Sequence, residues 1–340
     1  MSLPLLTEAR SSARREALPR TGSATRRLVT VVLMLAATAI PSLALEGTPG
    51  TAPGIRSALV VRGTEDFAGF NQPLGIAIDT VHGEIYVANS GYGRIDVYTF
   101  AGGIKAQLPH SVKAADGSQV PGVPAALALD GRGRVFVVDA KDHGVDVLDF
   151  RGRTIGRLDL SPGSGPEPWP TAVAVVPDGR VLVSTGGDSG RVYVFTPALE
   201  PAGSWGEPGA GPGHLSSITA MSATADGQLV ITRSDDDPIV QVFTPEGRYV
   251  RGFGFLANGP GNFAFPTGVA VTRDGRIWVC DQIRQCLEVF DSTGTYLAAL
   301  GSPGRRAGEL NYPYSLATDG DGRLAITERM GARMQIWSVK

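Results

Sequence analysis

The sequence predicts an all-β chain, a six-bladed β-propeller whose last blade is closed by an N-terminal strand at about residues 58–63. Three observations predict it. A turn glycine recurs at Gly83, Gly133, Gly179, Gly227, Gly275 and Gly322, with spacings of 50, 46, 48, 48 and 47 residues. Around each glycine the same phrase repeats: an apolar strand, the tight turn, a second strand, a polar loop and a third strand. The sixth repeat ends at Lys340 without a fourth strand, whereas Ala58-Leu59-Val60-Val61-Arg62-Gly63, ahead of the first repeat, has the pattern of one. A repeat of this length is a unit that buries its apolar face only by stacking on its neighbours. Closing the ring with a strand from the other terminus protects edges that would otherwise be open.

Residues 1–27 carry six arginines against Glu8 and Glu16, and the apolar run Leu28 to Ile40 follows, then Pro41-Ser42-Leu43-Ala44. A basic leader, a short apolar core and small residues at the cut read as a signal peptide over 1–44, cleaved after Ala44. Retained, the segment would be an N-terminal membrane anchor, although the run is shorter than the ~20 residues of a spanning helix. Residues 45–57 read as a linker and 58–340 as the propeller. The expected location is exported, periplasmic or extracellular (secreted), with membrane contact only through an uncleaved leader.

Within the repeats, the first strands are small and nearly all apolar, as in Gly268-Val269-Ala270-Val271, which suits a crowded innermost position. The second strands run Glu84–Ala88, Arg134–Val138, Arg180–Ser184, Gln228–Thr232, Arg276–Cys280 and Arg323–Thr327. Third strands alternate apolar and polar residues, as in Ile95-Asp96-Val97 and Val192-Tyr193-Val194, so one face is buried. Asp-Gly turns between strands one and two supply the left-handed conformation of a tight hairpin. Fourth strands follow in five repeats, among them Thr154–Leu160, Tyr249–Phe253 and Tyr296–Leu300.

Apolar residues make up 42% of the chain and charged residues 19%, which excludes a disordered chain. The formal net charge is -2, and becomes about −6 without residues 1–44, so no overall basic balance grips phosphates and nucleic acid is not an expected partner. Two cysteines exclude a disulfide-stapled miniprotein and a four-cysteine zinc site. Gly186-Gly187-Asp188-Ser189-Gly190 is glycine-rich but joins two strands, so it is a hairpin loop and not a phosphate cradle.

Glycine-led phrases ending in proline precede several first strands: Gly69-Phe70-Asn71-Gln72-Pro73, Gly261-Asn262-Phe263-Ala264-Phe265-Pro266 and Gly308-Glu309-Leu310-Asn311-Tyr312-Pro313. With Asp-Gly-Arg turns and third strands such as Arg94-Ile95-Asp96-Val97, this resembles the NHL repeat, over about residues 58–340; repeat four departs most, with Ile218 in place of the proline. The resemblance implies a propeller family that includes amidating lyases, RNA-binding repressors, sensor domains and exported bacterial proteins, so it does not choose a function. The zinc histidines of the amidating lyases would stand directly after the proline. Here those positions are Leu74, Ala125, Thr171, Thr219, Thr267 and Tyr314, and the histidines at 82, 110, 143 and 214 fall on separate loops, read as exposed.

The loops after the second strands and between blades should ring the mouth of a central channel. The ligand-binding rim expected there comprises Tyr92, Arg94, Asp139, Arg191, Arg233, Asp281, Arg284, Tyr314 and Glu328, a polar and aromatic mixture typical of recognition. The function expected is a non-catalytic exported scaffold for a protein, peptide or glycan, with no cofactor. A metal-assisted lyase or hydrolase at the mouth is the alternative, its ligands drawn from carboxylates such as Asp139, Asp281 and Glu328. Cys280 and Cys286 flank one hairpin, and an oxidising compartment would favour a disulfide between them.

Overall fold

The computed structural model describes residues 53–62, 69–160, 167–186 and 190–340. The segment read as a leader, and Gly63 at the end of the expected closing strand, lie outside them. Six four-stranded antiparallel sheets form the blades. Blade 1 consists of Pro73–Asp79, Glu84–Asn89, Arg94–Thr99 and Ile104–Pro109, and blade 2 of Pro124–Leu129, Val135–Asp139, Gly144–Leu148 and Thr154–Asp159. Blade 3 consists of Pro170–Val175, Val181–Thr185, Val192–Phe195 and Pro201–Trp205, and blade 4 of Ile218–Ala223, Leu229–Arg233, Val240–Phe243 and Tyr249–Phe253. Blade 5 consists of Pro266–Val271, Ile277–Asp281, Cys286–Phe290 and Tyr296–Leu300. Blade 6 takes Pro313–Thr318, Arg323–Glu328 and Arg333–Val339 from one end of the chain and Ile55–Val61 from the other.

Each inner strand contacts the inner strand of the next blade, and the sixth contacts the first, so the ring is closed. Six apolar clusters fill it, one at each blade interface. Between blades 3 and 4, for example, Leu182, Val192 and Val194 meet Met221, Leu229 and Ile231. The fifth residue of the third-strand phrase is a large side chain in every blade: Tyr98, Leu148, Phe195, Phe243, Phe290 and Trp337 are all buried. That repeated bulk at one position sets the wedge shape of the blade, because neighbouring sheets must be held farther apart there than at the axis, where glycine and alanine stand.

The closing strand pairs antiparallel with the last strand, Ile55 opposite Val339 and Val61 opposite Met334. Ile55–Ser57, expected in the linker, are thus its first residues; the outermost strand is half exposed, and its weak apolar pattern hides where it begins. A two-stranded hairpin of Ser111–Lys113 and Gln119–Pro121 is inserted between blades 1 and 2 and lengthens the first repeat. Among the described residues no helix is long and apolar enough to cross a membrane.

Candidate functional site

The second-to-third-strand loops and the connections between blades emerge on one side, the loop face; the hairpin turns at the repeat glycines emerge on the other, the turn face. At the loop face one backbone bond recurs in all six blades: the residue just past the second strand donates its amide to a carbonyl ahead of the inner strand. The pairs are Gly91 to Asn71 and Ala140 to Val123 at 2.9 Å, Gly186 to Trp169 at 3.1 Å, Ser234 to Ser217 at 3.2 Å, Gln282 to Phe265 at 2.9 Å, and Arg329 to Tyr312 at 3.1 Å. The last side chain of the second strand completes the closure. Asn89 Oδ1 accepts the Asn71 amide at 2.8 Å, Asp139 Oδ2 the Val123 amide at 2.6 Å, Asp281 Oδ2 the Ala264 amide at 2.7 Å, and Glu328 Oε2 the Asn311 amide at 2.6 Å.

Blade 4 reverses the polarity. Arg233 donates to the carbonyls of Gly211 at 3.1 Å and His214 at 3.0 Å, and to Ser216 Oγ at 3.1 Å. Asp139, Arg233, Asp281 and Glu328, expected as exposed rim contacts, are therefore buried ties between blade and loop, at 2% exposure or less. The physical reason is local: the returning loop carries backbone groups that would be buried without partners, and the strand-end side chain is the group in reach.

The arginines at or just ahead of the start of the third strand are also largely engaged. Arg94 Nε donates to Asp96 Oδ1 at 2.7 Å, and its guanidinium lies 4.8 Å from the centre of the Tyr92 ring. Arg284 donates to the carbonyls of Gly259 at 3.0 Å and Ala257 at 2.5 Å and pairs with Glu288 at 3.3 Å. Arg333, fully buried, donates from Nε to Glu328 Oε1 at 2.7 Å and from Nη2 to the Glu309 carbonyl at 2.9 Å. Of the expected rim arginines only Arg191 is well exposed, with a hydrogen bond to Ser204 Oγ at 3.4 Å. Sequence reasoning missed the inward-facing polar residues two places along the third strand. Gln241 Oε1 accepts the Gly213 amide at 2.7 Å and Gln335 Oε1 the Gly308 amide at 3.0 Å. A glutamine at a buried strand position, opposite a glycine-led loop, is the signal that could have found them.

Aromatic side chains remain exposed on the loop face. Trp169, Phe265 and Tyr312 stand immediately ahead of an inner strand, and Tyr92 follows the second strand of blade 1. Tyr312 holds a left-handed backbone, φ 53°, ahead of Pro313. Trp169 stacks on His143, ring centres 3.8 Å apart. A cavity of about 730 Å³ opens beside Tyr92 between blades 6, 1 and 2, lined by Gln72, Leu74, Tyr92, Lys141, Tyr314 and Arg329 together with backbone of the 90–93 and 121–125 segments. Tyr314 also lines the narrow channel below, about 90 Å³, whose wall includes Ala125, Thr171, Thr219 and Thr267. Burial pushes the Tyr314 phenol above its usual range, and the nearby Arg329 charge pulls it back. The structure thus brings Tyr92 and Tyr314 to one cavity and leaves Arg191 outside its lining. A second cavity, about 550 Å³, opens on the turn face and is lined by Asp130, Asp178, Arg273 and Asp319.

Two expectations are corrected. His110 is 4% exposed and not a solvated loop residue: the inserted hairpin covers it, and its Nε2 lies 3.2 Å from Asp139 Oδ2 and 3.9 Å from Asp146 Oδ2. Burial raises the Asp146 carboxyl, with the His110 and Arg157 charges opposing. Cys280 and Cys286 are free and buried. Cys280 pairs across the hairpin with Leu287 and Cys286 with Asp281, so strand alternation sends the two thiols to opposite faces of blade 5 and no disulfide joins them. Burial pushes the Cys286 thiol up to about 12 and the Cys280 thiol well above its ordinary value. Among the described residues, no group of three or more His, Cys, Asp or Glu side chains is placed to hold a metal ion.

Residues 263–290 match the NHL repeat model. That stretch contains Phe263, Asp281, Arg284 and Glu288, so it includes the loop tie of blade 5. The human E3 ubiquitin-protein ligase TRIM32 is 28% identical over 137 residues, 37% of this chain and 19% of that protein, so the match spans about a fifth of the relative. Among solved structures, a protein of unknown function from Bacteroides thetaiotaomicron superposes with a TM-score of 0.61 at 17% identity, covering 85% of this chain and 76% of that one. A gluconolactonase from Xanthomonas campestris gives a TM-score of 0.59 at 16% identity, covering 85% and 95%. Streptogramin B lyase gives 0.57 at 14% identity, covering 83% and 97%. At these identities the structural likeness is one of fold.

Proposed function

We propose that this NHL-repeat six-bladed β-propeller is a recognition module that binds a protein or peptide partner across its loop face. The observation that carries the reading is the set of exposed aromatic side chains on the loop face: Tyr92 at 44%, Trp169 at 48%, Phe265 at 40% and Tyr312 at 39%. Large rings left in water on one face are the chemistry of interaction hot spots, where a few aromatic anchors carry most of the affinity. Three of the four occupy the same repeat position, on backbone pinned by the loop-face hydrogen bond. They are therefore held in place before any partner arrives, which lowers the ordering cost of binding. The partial match to a ubiquitin-protein ligase, a class of enzyme that acts on proteins, agrees with a protein ligand over a glycan. The leader reading adds that the module works outside the cytoplasm, in the periplasm or extracellular space. The metal-assisted alternative draws no support from Asp139, Asp281 or Glu328, whose oxygens accept loop amides.

The test is site-specific photocrosslinking, with a benzoylphenylalanine in place of Tyr312 on the loop face or of Val81, 67% exposed, on the turn face. A partner crosslinked from position 312 and not from 81 is then purified and titrated. Phe265→Ala or Trp169→Ala should each weaken it by ~2 kcal/mol, roughly thirtyfold in Kd. A partner that crosslinks from position 81, or binds both variants with unchanged affinity, places recognition elsewhere; capture of a glycan alone replaces the ligand class.

A further inference from the structure

The arginines of the loop face are mostly spent: Arg94, Arg233, Arg284 and Arg333 each hold a carboxylate or loop carbonyls. The two cations that line the 730 Å³ cavity are not. Lys141, exposed, donates one Nζ–H to the Pro121 carbonyl at 2.9 Å and keeps two donors. The guanidinium of Arg329, exposed on blade 6, makes no hydrogen bond or ion pair with any described residue, and its charge reaches the Tyr314 phenol. No carboxylate residue is among the cavity's lining. The nearest acids are committed elsewhere: Asp139 holds the amides of Val123 and Lys141, Asp96 is bonded to Arg94, and Asp142 is held by Arg157 at 2.6 Å. The cavity is thus a local positive site in a chain of net charge -2.

Its position sharpens the argument. Lys141 comes from blade 2 and Arg329 from blade 6, and the loop of blade 1 with Tyr92 stands between them. Two like charges facing one concavity repel each other, and an anion between them relieves the repulsion while gaining hydrogen bonds from both. Tyr92 and Tyr314 add two phenol groups and apolar ring surface beside the charges. The cavity size suits a small group, in the range of small-ligand pockets, and not an extended backbone of phosphates. Acids elsewhere on the face, the exposed Asp235 and the half-buried Asp237 among them, would repel a long polyanion passing across it.

We propose that this cavity takes the side-chain carboxylate of a glutamate or aspartate in an acidic segment of the partner polypeptide, clasped between Lys141 and Arg329 with Tyr92 and Tyr314 at its sides. The proposal rests on the reading of the loop face as a protein-binding surface and names the chemistry that enters it. Lys141 and Arg329 line the cavity from different blades, and a lysine and an arginine bind a carboxylate through charge-assisted hydrogen bonds.

The experiment uses the full chain and fluorescence anisotropy with a labelled, C-terminally amidated octapeptide of alternating Glu and Gly, against the same peptide with Gln for Glu. The Glu peptide should bind and weaken as salt rises, and the Gln peptide should bind at least tenfold more weakly. Lys141→Gln and Arg329→Gln should each weaken the Glu peptide about fivefold or more, and together abolish its binding; both positions are exposed, so melting temperature should stay put. Equal binding of the Gln peptide, unchanged binding in the double variant, or failure of the Glu peptide to bind overturns the proposal, as does exclusive binding of an oligogalacturonate run in parallel. A partner whose affinity falls in Phe265→Ala but not in Arg329→Gln sinks the pocket and leaves the face standing. One that binds both variants unchanged removes the face as well.

Discussion

Glu328 and Arg333 are both fully buried, and together they hold Gln335 and the Asn311 and Glu309 backbone. Removing one charge leaves the other in the interior without a counterion, which costs far more than the pair itself is worth. Glu328→Gln or Arg333→Met alone should lower unfolding free energy by about 3–5 kcal/mol, read from urea midpoints. The double variant should recover part of that loss. Singles within about 0.5 kcal/mol of the parent would show the tie to be dispensable. The same residues mark where sequence reading stops. Asp139, at the end of a strand, and Lys141, in the loop that follows, sit two places apart, yet the first is buried and the second exposed. What separates them is the Gly122–Val123 backbone folding back over Asp139, an event set by a segment more than a dozen residues upstream. Polarity in a loop reads as exposure until the covering chain is placed.

Elements were far more legible, because their causes are local. A turn glycine such as Gly275, φ 83°, fills the left-handed position of a three-residue hairpin loop and donates its amide to the Thr272 carbonyl at 2.9 Å, so its period survives in sequence. The inserted hairpin at 111–121 carries no such signal: three-residue strands are too short to show alternation. The inner strands show a second local cause. At Gly75 a methyl group would stand 2.7 Å from the Ala125 carbonyl oxygen and 2.8 Å from Ala126 Cα, and at Gly268 it would stand 2.8 Å from Ser315 Cα. These contacts are with backbone of the next blade, which cannot step aside alone. Gly75→Ala should therefore destabilise by about 1–3 kcal/mol, the cost of overpacking, in a urea titration. An unchanged midpoint would mean that the blades slide freely at the axis.

The six interfaces form one continuous ring, and the ring depends on the strand from Ile55 to Val61. Without it, the edge of the strand bearing Met334, Ile336 and Trp337 would be unpaired. A variant beginning at Gly69 should leave the monomer peak in size-exclusion chromatography and melt at lower temperature, since an exposed edge recruits further strands. A truncated protein that stays monomeric with an unchanged melt would show that closure is ornamental. The closing strand also fixes direction. Ile55 lies opposite Val339, and the Lys340 amide reaches the Gly54 carbonyl at 3.2 Å, so the strand starts at the turn face and runs toward the loop face. Any tether joined at Pro53 therefore departs from the side away from Tyr92, Lys141 and Arg329. The start of the closing strand and the exposed aromatic residues thus lie on opposite sides, and a support coupled at Pro53 would leave the loop face turned outward.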